Sequence, residues 1–171
     1  IGTQTDKLFV QSNFNTYTGL AESLKKVKGV EDVVGVSSAV NLVKVQDGES
    51  EKLKAEIIFP SNKLTQSEID SCAKIFLNLP FYKGLIHNPA TNAWLMGVRI
   101  NRDILNSKRR ETVIANITDA INVVETKTDL RFRVSGLPLI RTQIATRIAG
   151  EMKWFLVASV ILSALILLIF F

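Results

Sequence analysis

The stretch "AWLMGVRI", residues 93–100, reads as a central strand. Successive side chains on a strand point to opposite faces, so Trp94, Met96, Val98 and Ile100 share one face and Gly97 lies on the other. Downstream, Asn106 or Ser107 can cap a long helix whose Val113, Ile114, Ile117, Ile121 and Val124 recur at helical spacing. A further strand follows, with Leu130, Phe132 and Val134 alternating with Arg131, Arg133 and Ser135.

Upstream of residue 93, Thr65 and Glu68 have capping-box spacing and open a helix with an apolar stripe of Ile69, Cys72, Phe76 and Leu79. Before it lie three β-branched runs, "VEDVVGV" (30–36), "NLVKV" (41–45) and "KAEIIF" (54–59), the last ending at Pro60. The polar segment Gln46–Lys52, with the turn pair Asp47-Gly48, reads as a loop between the second and third runs. A first helix is marked by Tyr17, Leu20, Leu24 and Val27, with Gly29 placed as a left-handed C-terminal cap. A first strand is expected at Lys7–Gln11. Strands alternating with helices of this length define an α+β class (α/β layers), and split β-α-β units of ferredoxin-like type fit the order best.

The chain has 171 residues, 47% hydrophobic and 22% charged, which is the composition of a folded domain. Its net charge of +5 is dispersed. The basic groups Lys25, Lys26, Lys28 and Lys108, Arg109, Arg110 have no interleaved aromatic residues, so they read as solvated helix faces and nucleic acid is not an expected partner. Cys72 belongs to an apolar stripe and His87 to a turn-rich surface loop. No Ser-His-Asp, Cys-His, metal-ligand or phosphate-loop constellation has usable spacing, so no catalytic, cofactor-binding or metal residue is expected and the chain does not read as an enzyme.

The last seventeen residues, Phe155–Phe171, carry no charge. At about 1.5 Å per residue they reach roughly 25 Å, against roughly 30 Å of hydrocarbon, so the sequence reads as the start of a truncated transmembrane helix. Gly136 can end the preceding strand, and Pro138 suits a first helical turn. Ile140, Ile144 and Ile148 then form a stripe beside Arg141 and Arg147, and Gly150 is the weakest helical position. The expected organisation is a domain over 1–136, a connecting amphipathic helix over 137–154 and the apolar segment over 155–171. Gly136, Pro138, Arg141 and Gly150 are the candidate residues coupling domain to membrane.

Four stretches carry a resemblance: "LKKVKGVEDVVGVSSAVNLVK" (24–44), "LNLPFYKGLIHNPATNAWLMGVRIN" (77–101), "ILNSKRRETVIANI" (104–117) and "VSGLPLIRTQIATRIAGEMKWFLVASVILSALILLIFF" (134–171). Together they are similar to the first large extracytoplasmic loop of resistance-nodulation-division (RND) transporters, in the mycobacterial membrane protein large-type branch, running into the second transmembrane helix. The resemblance implies a periplasmic porter domain of a proton-driven exporter of hydrophobic or amphiphilic compounds, in the bacterial cytoplasmic (inner) membrane with residues 1–136 on the extracytoplasmic side. By contrast, Arg141, Arg147 and Lys153 before the apolar run would by charge bias place the domain in the cytoplasm, a bias that weakens for segments beyond about 60 residues. Implied partners are the lipid bilayer, a hydrophobic or amphiphilic small molecule or lipid, and the remaining transmembrane helices and second porter loop, with a homo-oligomer as a possible assembly. The family's proton-carrying acids lie in other transmembrane helices, and nothing in Phe155–Phe171 ionises. Phe81, Tyr82 and Trp94 are candidates for an amphiphile path, with core packing as the competing reading. The alternative function is an interaction or sensor domain of a membrane protein with few spans, similar to a cell-division permease.

Overall fold

The computed structural model describes residues 1–47, 50–61 and 63–170. They divide into two units, Ile1–Ser135 and Gly136–Phe171. The first is mixed α+β, with several small antiparallel sheets and four helices.

In the first unit, β1 (Gly2–Gln4) leads into α1 (Gln11–Lys25) and β2 (Val30–Val34). A ribbon of β3 (Val40–Asp47) and β4 (Ser50–Ile57) follows, then α2 (Gln66–Asn78) and a short β5 (His87–Asn88). β6 (Ala93–Leu95) and β7 (Gly97–Ile100) precede α3 (Arg102–Leu105), α4 (Arg109–Glu125) and β8 (Phe132–Arg133).

The expected single strand over 93–100 is two strands that pair with different partners. β6 lies between β5 and β1, and β1 pairs in turn with β8. β7 pairs with β2, Gly97 opposite Val34. The change falls at Met96, which exchanges two backbone bonds with Ile1: the Ile1 nitrogen donates to the Met96 carbonyl (2.9 Å) and Met96 N–H to the Ile1 carbonyl (2.8 Å). One residue later the chain runs beside β2 instead. The expected facing survives this change, because Trp94 and Met96 are buried, Val98 and Ile100 pack against the core, and Leu95, Gly97 and Arg99 are exposed. Residues 93–100 thus lie between β1 and β2, which α1 connects. β1 in turn lies between β6 and β8, and α4 connects β7 to β8.

Helices form where the apolar periodicity places them. α1 buries Phe14, Tyr17, Leu20 and Leu24, and α4 buries Val113, Ile114, Ile117 and Ile121. Those faces, Ile114 apart, share one core with Val33, Trp94, Met96, Leu130 and Phe132. The capping box of α2 forms as expected: Thr65 N–H and its hydroxyl both donate to Glu68 Oε2 at 2.8 Å. That helix buries Ile69, Ala73 and Phe76, while Cys72 and Leu79 are half-buried.

Several expectations are corrected. Residues 7–10 form a turn, with Val10 N–H donating to the Lys7 carbonyl at 3.2 Å, so no strand occupies Lys7–Gln11. Leu8 is buried from that turn while Val10 is exposed, and the first strand is Gly2–Gln4. α1 ends at Lys25, capped by Lys26 in right-handed conformation. Gly29 does take φ +105°, but in the turn into β2, where its carbonyl accepts Asn101 N–H at 2.9 Å. The polar stretch Gln46–Lys52 is mostly ribbon, since β3 reaches Asp47 and β4 begins at Ser50. Gly48 of the expected turn pair lies outside the described residues. Asn106 caps the C-terminus of α3, and Ser107 Oγ accepts the Arg109 N–H that opens α4. α3 escaped the periodicity because it is a single turn, held by Asn101 Oδ1 accepting from Asp103 N–H (3.0 Å) and Ile104 N–H (3.3 Å). The last strand shortens to Phe132–Arg133, with Leu130 and Phe132 buried as the alternation requires.

The second unit is α5 (Leu137–Phe170), one continuous helix of 34 residues and about 51 Å. Gly136 precedes it at φ +148°, where its carbonyl accepts Ile140 N–H. No residue of α5 is buried within the structure. It is long and apolar enough to cross a membrane.

Candidate functional site

The aromatic residues gather around Phe76, whose ring stacks on Tyr82 at 5.1 Å between centroids. Phe9, Phe14, Phe59 and Trp94 continue the cluster inward, Phe9 meeting Trp94 edge-on at 5.3 Å. Trp94 is a core residue, 4% exposed, with its indole N–H donating to the Thr5 carbonyl at 2.9 Å. Phe81 stands at the other extreme, 71% exposed and edge-on to Tyr82 at 5.2 Å.

Pro80 starts the 3-10 turn Pro80–Tyr82 that sets these two rings side by side. Tyr82 then fixes the turn to the ribbon: its hydroxyl donates to the Val40 carbonyl and accepts Val40 N–H, both at 2.8 Å. The result is a cavity of about 300 Å³ lined by Val40, Asn41, Leu42, Leu79, Phe81 and Tyr82. With the tyrosine hydroxyl occupied by Val40, Asn41 is the one lining side chain left to offer a polar contact. Such a lining suits an alkyl or aryl group with a single polar contact.

Leu79 and Tyr82 also line a second cavity, of about 240 Å³, with Phe76, Leu77, Lys83, His87 and Pro89. His87 is not simply a loop residue. It lies in β5 and stacks on Trp94 at 3.9 Å. Burial, and secondarily the Lys83 ammonium, push its pKa below the ordinary imidazole value. Cys72 has its thiol pKa raised, first by burial and then by the Glu68 carboxylate, which disfavours a nucleophilic thiolate. Among the described residues no three His, Cys, Asp or Glu side chains group to hold a metal ion.

Of the three aromatic candidates, the structure brings Phe81 and Tyr82 to one cavity and leaves Trp94 out of it. Trp94 instead borders a depression of about 370 Å³ over β1, β6 and β8, with Arg131 and Arg133. Val40 and Leu42, forty residues from Phe81, are cavity residues that the sequence reading missed; alternation in "NLVKV" marks a strand but not which apolar side chains stay exposed. The coupling candidates Gly136, Pro138, Arg141 and Gly150 sit at or within α5: Gly136 in the left-handed region, Pro138 in the first turn, Arg141 exposed, and Gly150 with open space around it. No family model, curated protein or solved structure matches the chain.

Proposed function

We propose that the chain is the porter portion of an RND-type, proton-driven exporter of hydrophobic or amphiphilic compounds, together with the helix that takes it into the bilayer. One observation carries this reading: the order of strand neighbours, β8, β1, the β6–β7 segment and β2, all antiparallel. That order is the one two interleaved split β-α-β units would give, and so supports a ferredoxin-like reading, with the ribbon, α2 and β5 inserted between β2 and β6. The 34-residue apolar-ended α5 directly after it supports an anchored domain. On this reading Phe81 and Tyr82 belong to the substrate path, and Gly136, Pro138, Arg141 and Gly150 to the link through which membrane helices move the domain. The chain does no covalent chemistry and needs no cofactor. The domain stands outside the bacterial cytoplasmic membrane.

The reading is tested first on the gene. Beyond Phe171 it should encode several further apolar spans, one bearing a buried Asp or Glu, and then a second loop of the same strand order. A frame with only one to four spans would refute it and favour a sensor or interaction domain. In cells carrying the whole gene, Phe81→Ala should slow export of an amphiphilic dye while expression stays normal; unchanged export removes the cavity from the path.

A further inference from the structure

The β3–β4 ribbon ends its sheet after two strands, and its hydrogen-bonding parity can be assigned. Ile58 N–H donates to the Ala39 carbonyl at 3.0 Å, so residues 39 and 58 form a hydrogen-bonded pair. With Val40 opposite Ile57, Leu42 opposite Ala55 and Lys44 opposite Leu53, these three are non-hydrogen-bonded pairs whose N–H and C=O groups point away from the ribbon. The Tyr82 hydroxyl, bonded to both the N–H and the C=O of Val40, occupies the outer edge of β3 as this parity requires. The outer edge of β4, at Leu53, Ala55 and Ile57, has no such cover among the described residues. Leu53 is 67% and Ile57 62% exposed. An uncovered apolar edge of this kind is a template for strand addition.

The sequence of that edge, Leu53-Lys54-Ala55-Glu56-Ile57, is complementary to itself in antiparallel register about Ala55. Ala55 then faces Ala55 of a second copy, Leu53 faces its Ile57, and Lys54 faces its Glu56. The outward-pointing residues 53, 55 and 57 are the ones that pair, giving on the order of six backbone hydrogen bonds. Lys54 and Glu56 already lie 3.4 Å apart within one strand. Juxtaposed across a two-fold axis, the two pairs make an alternating four-charge cluster on one face, with an apolar strip on the other. The neighbouring registers fail this test: centring on Lys54 sets two ammonium groups face to face, and centring on Leu53 sets Lys52 against Lys54.

We infer that β4 is a self-association edge, at which two copies of this chain join as β3–β4–β4–β3 across a two-fold axis at Ala55. The inference is independent of the transport reading. Strand pairing is isologous here, so one surface serves both partners. Lys54 and Glu56 select the register by opposite charge.

The test uses the full chain in detergent or vesicles, with Cys72→Ser as background. Ala55→Cys places two thiols on the axis with Cα atoms about 5.5 Å apart, within disulfide reach. Mild oxidation should give a cross-linked dimer, whereas Leu53→Cys, displaced from the axis, should give at least about tenfold less at equal concentration. Adding Glu56→Lys should abolish the Ala55→Cys dimer, and Lys54→Glu with Glu56→Lys should restore it. As a cysteine-free readout, sedimentation of the wild type should give a dimer that Ala55→Pro converts to monomer with an unchanged circular dichroism spectrum, because that N–H points outward and serves no bond within the ribbon. Equal cross-linking at positions 53 and 55, indifference to the single charge reversal, or a monomeric wild type whose edge takes up another peptide or lipid would each overturn the inference.

Discussion

Replacing Gly29 with alanine probes the turn that sets α1, β2 and β7 in register. At φ +105° an L side chain is strained whatever space it has, at a cost of about 1–3 kcal/mol. The added Cβ would also lie 2.8 Å from Ile104 Cδ1 and 3.1 Å from Val113 Cγ2. Ile104 Cδ1 is the end of a rotatable chain and can move aside, but Val113 is β-branched and stiff, so overpacking adds about 1 kcal/mol or more. A total near 2–4 kcal/mol, at about 3–4 °C per kcal/mol for a domain of this size, lowers Tm by about 6–16 °C. Thermal unfolding of the full chain in detergent, followed by circular dichroism, measures it. In a Val113→Ala background, where Cγ2 is gone, the same substitution should cost about 1 kcal/mol less, the backbone share remaining. A Tm drop below about 2 °C for Gly29→Ala would refute both the turn geometry and the attribution.

Three further predictions concern capping and titration. Thr65→Ala should destabilise α2 by about 1 kcal/mol in denaturant unfolding. Glu68, whose carboxyl is held below the usual range by the Thr65 N–H and hydroxyl, contributes stability above the ordinary glutamate pKa and loses it as pH falls through its lower folded value. Glu68→Gln should therefore flatten the acid limb of the stability curve; an unchanged limb would sink the assignment. Burial pushes the Tyr17 phenol up to about 12, against a weaker opposing backbone bond from Val36. Its neutral form is favoured by the fold, so stability is intact below the ordinary tyrosine pKa near 10 and falls as pH rises from there to about 12. Tyr17→Phe should flatten this alkaline limb, measured by denaturant midpoints across that range.

How much was legible depended on what each signal encodes. Period-two alternation fixes which face a side chain takes, and that facing was right from Trp94 to Ile100 and from Leu130 to Phe132. Alternation carries nothing about the partner, so the switch at Met96 from β1 to β2 was invisible. β1 itself has three residues, one a threonine buried by its hydroxyl bond to the Arg131 carbonyl, and only its neighbours make it a strand. Helices are more legible because their stripes are long and local: the apolar stripe of α4 and the Thr65–Glu68 box follow from the sequence, whereas single-turn α3 and the residue that opens α4 do not.

The ribbon shows why a site can hide in a correctly read strand. "KAEIIF" reads as extended from its β-branched residues, and Leu53, Ala55 and Ile57 alternate with Lys54 and Glu56 as a half-buried strand would. In the fold those apolar positions are exposed, and they are also the ones whose backbone groups point outward. Side-chain period and hydrogen-bond period are both two, so on an edge strand the residues that offer backbone pairing all lie on a single face. Here that face is the apolar one, and the charged residues between them are left to discriminate registers. The candidate cavity rests on the same coincidence: the outward backbone of Val40 is what the Tyr82 hydroxyl grips, in a lining that Phe81 and Leu42 share. Removing that hydroxyl would therefore free the edge of β3 and release Tyr82 from the ribbon together, linking the shape of the cavity to the edges available for association.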